Sequence, residues 1–289
     1  MSWVLLALLC ALALALADTV SKRWLLHLPA DALTLVRSGL PGVVLLPALY
    51  WIEVSALPWR FWAWVLAAMP LEILAMALYT RAIRESPLSQ TLPYMAFTPV
   101  FAILTGWVLL GETVSGPGLA GILLVAAGAW GLNLEHAGWH PRTWLLPFRA
   151  MLVQQGARLM LVVAAIYAVT AALGKGAVGY MDGAEFGALY FIVLGVCAFL
   201  YYGLRVPGAV AGALSAGPHA WLVAGLLAFM VITHFLALAQ SGTAYMIAVK
   251  RTSVLFGIVL GAWVFREERL RQHLGAAILM ILGVALIVG

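Results

Sequence analysis

The sequence predicts an all-α integral membrane protein in which ten transmembrane helices form two inverted five-helix repeats around a central cavity. Three observations support this fold class. Hydrophobic residues make up 65% of the 289 positions and charged residues only 9%, whereas soluble domains carry about 25% charged residues. Ten apolar stretches approach the roughly 20 residues that a helix needs to cross a bilayer. The two halves of the chain also resemble each other in sequence.

The ten predicted spans are separated mostly by short links, so consecutive helices should pack antiparallel. One longer link, residues 134–157, contains tryptophans, prolines and arginines and is predicted to lie at headgroup depth. It separates a first repeat, residues 1–133, from a second repeat, residues 158–289. The predicted spans are residues 3–21, 32–51, 60–80, 88–110, 115–133, 158–178, 183–203, 219–239, 243–264 and 272–289.

The first span could also be a secretory signal, because Ala15-Leu16-Ala17 resembles a cleavage site after an apolar run. A retained helix is favoured, since no basic segment precedes the run and the span has a counterpart in the second half. Because each half has five spans, the second copy must enter the membrane in the opposite sense. The aligned pairs are Lys22 with Lys175, Phe101 with Phe256, Gly106 with Gly261 and Glu112 with Glu267.

The orientation is predicted from the basic residues of short loops, which concentrate on the cytoplasmic side of membrane proteins. One face of the predicted topology has eleven lysines and arginines, and the other has only Arg60 and Lys175. This distribution places both termini outside the cytoplasm. The basic face carries Lys22, Arg23, Arg81, Arg84, Arg142, Arg149, Arg158, Arg205, Arg266, Arg269 and Arg271.

Four charged residues inside the spans are the main candidates for function, because a charge at that depth costs about 2.5 kcal/mol or more. Lys250 and Arg251 point about 100° apart on one helix and should face other protein groups or a water-filled cavity. Arg251 is favoured for substrate binding, since a guanidinium matches carboxylate or phosphate. Glu72, just after Pro70, is either a coupling acid or a permanent structural partner. Arg37 either snorkels to the surface, pairs within the protein or binds substrate.

The charge balance of this set predicts the substrate class. Arg37, Lys250 and Arg251 outnumber Glu72, which leaves two positive charges in excess inside the membrane. An anion could supply the balance, so an anionic or zwitterionic substrate is favoured over an organic cation.

Weaker candidates lie in the same spans. Tyr94 and Thr98 in the fourth span and Ser253 in the ninth either line the cavity with their hydroxyls or pack as ordinary helix residues. Asp18 and Lys22, four residues apart at the end of the first span, are expected to pair and are candidate gate residues. Interior groups that are expected to be hydrogen-bonded rather than functional are His234 and Tyr167.

The ends of the two halves resemble the EamA-type repeats of the drug/metabolite transporter superfamily. The likeness rests on Gly111-Glu112 after the fourth span, Arg266-Glu267 after the ninth, and the glycines of the spans that follow. The resemblance implies ten helices, a central cavity, and export or exchange of amino acids or other small metabolites in the inner membrane of a bacterium. It also implies cytoplasmic termini, against the loop charges. The basic pair of the ninth span has no counterpart in the first half.

A secondary active transporter that works by alternating access is therefore the favoured function. No nucleotide-binding loop is present, so an ion gradient, such as a coupling proton, or a substrate gradient must supply the energy. No cofactor or metal is expected. A flippase for a phosphate-bearing lipid is the alternative within transport, and a structural or assembly protein is the alternative outside it.

Two further classes are disfavoured. An enzyme is disfavoured because no catalytic set of residues appears, and nucleic-acid binding because the basic residues are spread over short loops. The expected partners are membrane lipids and a small-molecule or lipid substrate, bound by a monomer or a homodimer.

Overall fold

The computed structural model describes residues 2–85, 92–131, 155–265 and 274–289, and these ranges contain helices and links but no strand. Helices fall on all ten predicted apolar stretches, which confirms the all-α membrane fold. Seven of the described helices are long and apolar enough to cross a membrane, and three apolar helices are shorter. The proposed interfacial link, residues 134–157, lies outside the described residues up to position 154, and span 6 begins at Gln155.

The ten spans are numbered in chain order. Spans 1 to 5 consist of Trp3–Val20 with the π-helical turn Ser21–Leu25, Ala30–Ser38 with Leu40–Leu45 and Leu46–Tyr50, Trp59–Glu85, Leu92–Phe97 with Thr98–Leu110, and Gly116–Gly131. Spans 6 to 10 consist of Gln155–Val178, Gly183–Arg205, Pro218–Gln240, Thr243–Lys250 with Ser253–Phe265, and Leu274–Val288.

Two spans are broken within the membrane, and each break has a local cause. In span 2 the helix stops at Ser38 and restarts with Pro41 in its first turn; proline lacks the N–H that would continue the earlier helix. In span 9 the break falls at Arg251 and Thr252. The Thr252 hydroxyl donates to the carbonyl of Val249 at 2.8 Å, a local bond that competes with the helical pattern.

The core forms where spans of the first half pack against spans of the second. Span 1 packs against spans 8 and 9, and span 6 packs against spans 3 and 4. Spans 1 and 6 are aligned counterparts, as are spans 3 and 8 and spans 4 and 9. Span 6 therefore packs against the counterparts of the two spans that span 1 contacts. Span 2 meets span 7, and span 5 meets span 10. The first span is thus an integral part of the core, with Ala7, Cys10 and Ala17 fully buried.

Glycines allow spans 5 and 10 to approach each other closely. A Cβ on Gly121 would lie 2.6 Å from the carbonyl oxygen of Gly283, and a Cβ on Gly283 would lie 2.6 Å from that of Gly121. A Cβ on Gly128 would meet the carbonyl of Ala276. Small residues at such contacts are how helices pack within membranes. These glycines therefore form a packing contact between two spans of the same chain.

The outer faces of the spans are apolar. Trp107 in span 4 is 62% exposed and Trp263 in span 9 is 80% exposed. Exposed aromatic residues also surround the link between spans 2 and 3, at Tyr50, Trp51 and Trp59. Soluble proteins rarely expose large contiguous apolar surfaces, and aromatic side chains are common at membrane interfaces. The surface therefore fits a lipid environment.

Candidate functional site

The break in span 9 places the basic pair inside the protein. Lys250 ends the first segment of the span, and Arg251 caps that segment. Arg251 is only 7% exposed, and its Nε has no hydrogen-bond partner among the described residues. Its electrostatic neighbours are Tyr79 in span 3, Tyr167 in span 6, and Cys10 and Asp18 in span 1. A buried guanidinium with an unsatisfied donor is costly, and it can bind an anion.

Lys250 is held by a histidine of span 8. Its Nζ lies 3.3 Å from Nδ1 of His234. When the lysine is protonated it can only donate, and Nδ1 is then the acceptor of this hydrogen bond. Cys10 and Glu72 lie within electrostatic range of the lysine. His234 is therefore a hydrogen-bonded interior group, as expected, and its partner is the lysine of the candidate site.

Arg37 is paired inside the protein and does not snorkel to the surface. Its Nη2 donates to Oδ1 of Asp18 at 2.7 Å, and its Nη1 donates to the Ser21 hydroxyl at 3.1 Å. The guanidinium also lies 5.8 Å from the centre of the Tyr79 ring. Asp18 thus pairs across to span 2. Lys22, the partner that the spacing in the sequence predicts, is exposed on the π-helical turn. This ion pair therefore includes one candidate gate residue, Asp18, and not the other, Lys22.

This pairing changes the charge balance that the sequence suggested. Asp18 joins Glu72 as a second carboxylate, so three basic groups face two acidic groups and one positive charge remains in excess. The excess falls on the Lys250 and Arg251 side, because Arg37 already has its counter-ion.

Glu72 is held by hydroxyl groups. Its Oε1 accepts a hydrogen bond from the Tyr190 hydroxyl of span 7 at 3.3 Å, and the Thr170 hydroxyl of span 6 also interacts with the carboxylate. Lys250 is within electrostatic range, but no ion pair of Glu72 within 4.0 Å occurs in the part of the chain that the structure describes. The carboxylate is therefore positioned by neutral hydroxyl donors.

The weaker candidates have the following contacts and positions in the structure. Tyr94 is buried edge-on against Trp130 of span 5, with ring centres 5.4 Å apart. The Thr98 hydroxyl donates to the carbonyl of Met95 in its own span at 2.8 Å. Both contacts are those of ordinary packing. Ser253 is partly buried in the second segment of span 9, two positions after Arg251.

Sequence reasoning missed several residues of the cluster. The Tyr79 ring faces Arg37. The carboxylate of Glu72 interacts with the hydroxyls of Tyr190 and Thr170. Lys250 has Cys10 within electrostatic range. The available signal was their polar atoms at mid-span, but such residues are also common at ordinary helix contacts. In the described ranges, no three His, Cys, Asp or Glu side chains come close enough to hold a metal ion.

The comparisons agree with this architecture. Residues 1–134 match the model of the EamA-like transporter family. A solved structure, described only as the crystal structure of a protein, matches with a TM-score of 0.70 and 18% identity over 98% of this chain and 94% of its own. At that identity the match shows the fold alone. A comparison with curated proteins gave no match.

The EamA-type resemblance drawn from the sequence is thereby confirmed. The first half matches the EamA-like transporter family, and the whole chain is a multi-pass membrane protein whose fold is consistent with the drug/metabolite transporter superfamily.

Proposed function

We propose that the protein is a secondary transporter that exports or exchanges a small anionic or zwitterionic metabolite, such as an amino acid, across the inner membrane of a bacterium by alternating access. The observation that carries this proposal is Arg251, which is buried, has neither an ion pair nor a partner for Nε among the described residues, and directly follows a second cation, Lys250. A carboxylate or phosphate fits the planar donor fork of a guanidinium. Lys250 adds a second positive charge on the same helix.

The one positive charge that the protein leaves uncompensated favours a ligand with a single anionic group. Counting Arg37, Lys250, Arg251, Asp18 and Glu72, one positive charge is in excess, and a bound carboxylate would balance it. A zwitterion would place its carboxylate at Arg251 and its ammonium near Glu72. A cation would instead have to compete with two basic side chains, which is unfavourable.

Glu72 is proposed as the group that couples transport to a proton. Its contacts with Tyr190 and Thr170 position it without a fixed ion pair. Protonation would then change its attraction for Lys250, and an ionisable residue of this kind within a span typically belongs to an ion or substrate pathway.

Alternating access is proposed from the relation between the halves. Residues 1–133 and 158–289 align in sequence, and their spans take exchanged packing partners. Transporters of this construction move one repeat against the other around a central site. The inverted relation, the orientation with both termini outside the cytoplasm, and the choice between monomer and homodimer stay predictions.

The test is a thermal-shift screen of the purified protein with amino acids, organic acids, phosphate esters, polyamines and phospholipid headgroups. A ligand that binds the folded state raises its apparent stability. We expect stabilisation by an anion or a zwitterion, and we expect the Arg251→Ala variant to lose it while Ser215→Ala, an exposed position, keeps it.

Other results would contradict the proposal. Stabilisation by polyamines alone would indicate a cationic ligand that binds at Glu72. Stabilisation by lipid headgroups alone would favour the flippase. Replacing Lys250 and Arg251 together by leucine without loss of function in cells would favour a structural or assembly protein.

A further inference from the structure

A second charged cluster lies at one end of the spans, away from the candidate site. Lys175, near the end of span 6, points its ammonium at the end of span 8. Its Nζ donates to the carbonyls of Leu238 at 2.6 Å, Ala239 at 3.3 Å and Ser241 at 2.9 Å. The last carbonyls of a helix have no partner within the helix, and a cation there is favourable for the helix dipole. Lys175 therefore fixes the end of span 8.

Glu112, just after span 4, contacts the other end of the link between spans 8 and 9. Its Oε2 accepts the backbone N–H of Thr243, the first residue of span 9, at 2.9 Å. A carboxylate at a helix N-terminus satisfies a free donor and complements the dipole. Glu112 therefore fixes the start of span 9.

The backbone of span 4 is shaped to place this carboxylate. Gly111 has a φ of 67°, a left-handed conformation that glycine adopts without strain, and the Glu112 N–H returns to the carbonyl of Gly106. A Cβ on Gly106 would lie 2.8 Å from Oε2 of Glu112. The two glycines thus let Glu112 fold back over its own helix and reach span 9.

A third contact joins the same elements. The Tyr245 hydroxyl, in the first turn of span 9, accepts the backbone N–H of Ser115 at 2.9 Å. Ser115 directly precedes span 5. The start of span 9, which belongs to the second half, is therefore attached to the first half at two points.

We propose that Glu112 and Lys175 form a latch, which holds this end of the protein closed and whose release opens the central site on this side. The latch comprises these two side chains and the link 238–243 between spans 8 and 9. It rests on the proposed alternating access, because one half must then move against the other. Span 9 carries both the latch contact at Thr243 and the site residue Arg251, so its movement would couple the two.

The experiment uses the native Cys10 as reporter in the Cys197→Ala protein. Cys10 is fully buried in span 1, within electrostatic range of Lys250 and Arg251. A membrane-impermeant maleimide is added to sealed vesicles of each orientation. We expect Glu112→Ala and Lys175→Met each to speed labelling at least about tenfold from the side that carries Lys175, since loss of a single charge-assisted hydrogen bond is worth about that factor and Lys175 makes three. Labelling from the opposite side should not rise.

The matched control is Asp182→Ala. Asp182 is also a carboxylate that caps a helix, but it accepts from Ala184 within its own span at 2.8 Å, so its removal should leave labelling unchanged. Hydrogen exchange of residues 238–246 provides a second measurement that does not depend on Cys10 reactivity. Exchange there should be faster in both latch variants and not in the control.

Two results would overturn the latch. One is hydrogen exchange of the link that is unchanged in Glu112→Ala and Lys175→Met. The other is Cys10 labelling that rises equally from both sides, which would indicate a loosened fold. Neither measurement requires a ligand, so a failed latch would leave the ligand-binding test of Arg251 standing, and failure of that test would not alter these readouts.

Discussion

At the scale of single residues, two buried arginines have different surroundings and therefore different expected roles. Arg37 has a carboxylate counter-ion, a hydroxyl and an aromatic ring around it, although its Nε, like that of Arg251, has no hydrogen-bond partner among the described residues. Arg251 has tyrosines nearby but no ion pair among the described residues. The first arginine should matter for stability and the second for ligand binding.

The Arg37 and Asp18 pair predicts an asymmetric loss of stability. Asp18→Asn leaves a buried guanidinium without its counter-ion, which should cost about 3 kcal/mol. Arg37→Met leaves a carboxylate whose side chain is 40% exposed, so water can replace the partner and the cost should be nearer 1 kcal/mol. Thermal unfolding of the purified variants measures the difference. Equal losses, or a larger loss for Arg37→Met, would show that the pair is not what stabilises span 2.

Glu72 and Tyr190 predict a separation of coupling from binding. Glu72→Gln removes the ionisable group and should abolish accumulation driven by a pH gradient, while the ligand still raises the thermal stability of the protein. Tyr190→Phe removes only the hydroxyl that donates to Glu72 and should weaken accumulation less. Uptake into vesicles with and without a pH gradient provides the readout. Loss of ligand stabilisation in Glu72→Gln would instead make the carboxylate a binding group.

The sequence could predict which residues of the site were charged but not how they pair. Asp18 lies four residues before Lys22, so a local pair was the simplest expectation, whereas the structure joins it to Arg37 in the next span. Likewise, Tyr190 reaches Glu72 from a helix of the other half. Such contacts depend on how helices are rotated and stacked, and hydropathy does not encode this rotation.

At the scale of helices, existence and approximate position followed from the sequence, and the internal breaks did not. Ten apolar stretches were visible because a span requires about 20 apolar residues. The interruption of span 9 at Arg251 and Thr252 was hidden, since a hydropathy window averages over the few residues that form it. This break matters because it gives the basic pair its position inside the protein.

The contact between spans 5 and 10 predicts a stability effect at one glycine. Gly121→Ala would place a methyl group 2.6 Å from a backbone carbonyl, so the spans must separate at a cost of about 1–3 kcal/mol. The matched control is Gly225→Ala in span 8, where a Cβ would meet nothing within 4 Å and alanine should be neutral or slightly stabilising. Thermal unfolding in detergent compares them. An unchanged Gly121→Ala protein would contradict the close packing.

At the scale of the whole molecule, the distribution of basic residues predicts the orientation in the membrane. The predicted topology has eleven basic residues on one face and two on the other. A tag on either terminus should therefore be accessible to an antibody from outside intact spheroplasts. Accessibility only after the membrane is permeabilised would show that the termini are cytoplasmic, as the family resemblance implies, and that the loop charges are misleading.

The central claim is that Arg251 binds the anionic group of a transported substrate, and exchange in reconstituted vesicles tests it most directly. Vesicles loaded with the ligand found by thermal shift would take up the labelled ligand from outside. The account predicts saturable exchange that falls about tenfold or more in Arg251→Lys, which keeps the charge without the fork, and further in Arg251→Ala. Exchange by Arg251→Ala at the parent rate would contradict the account.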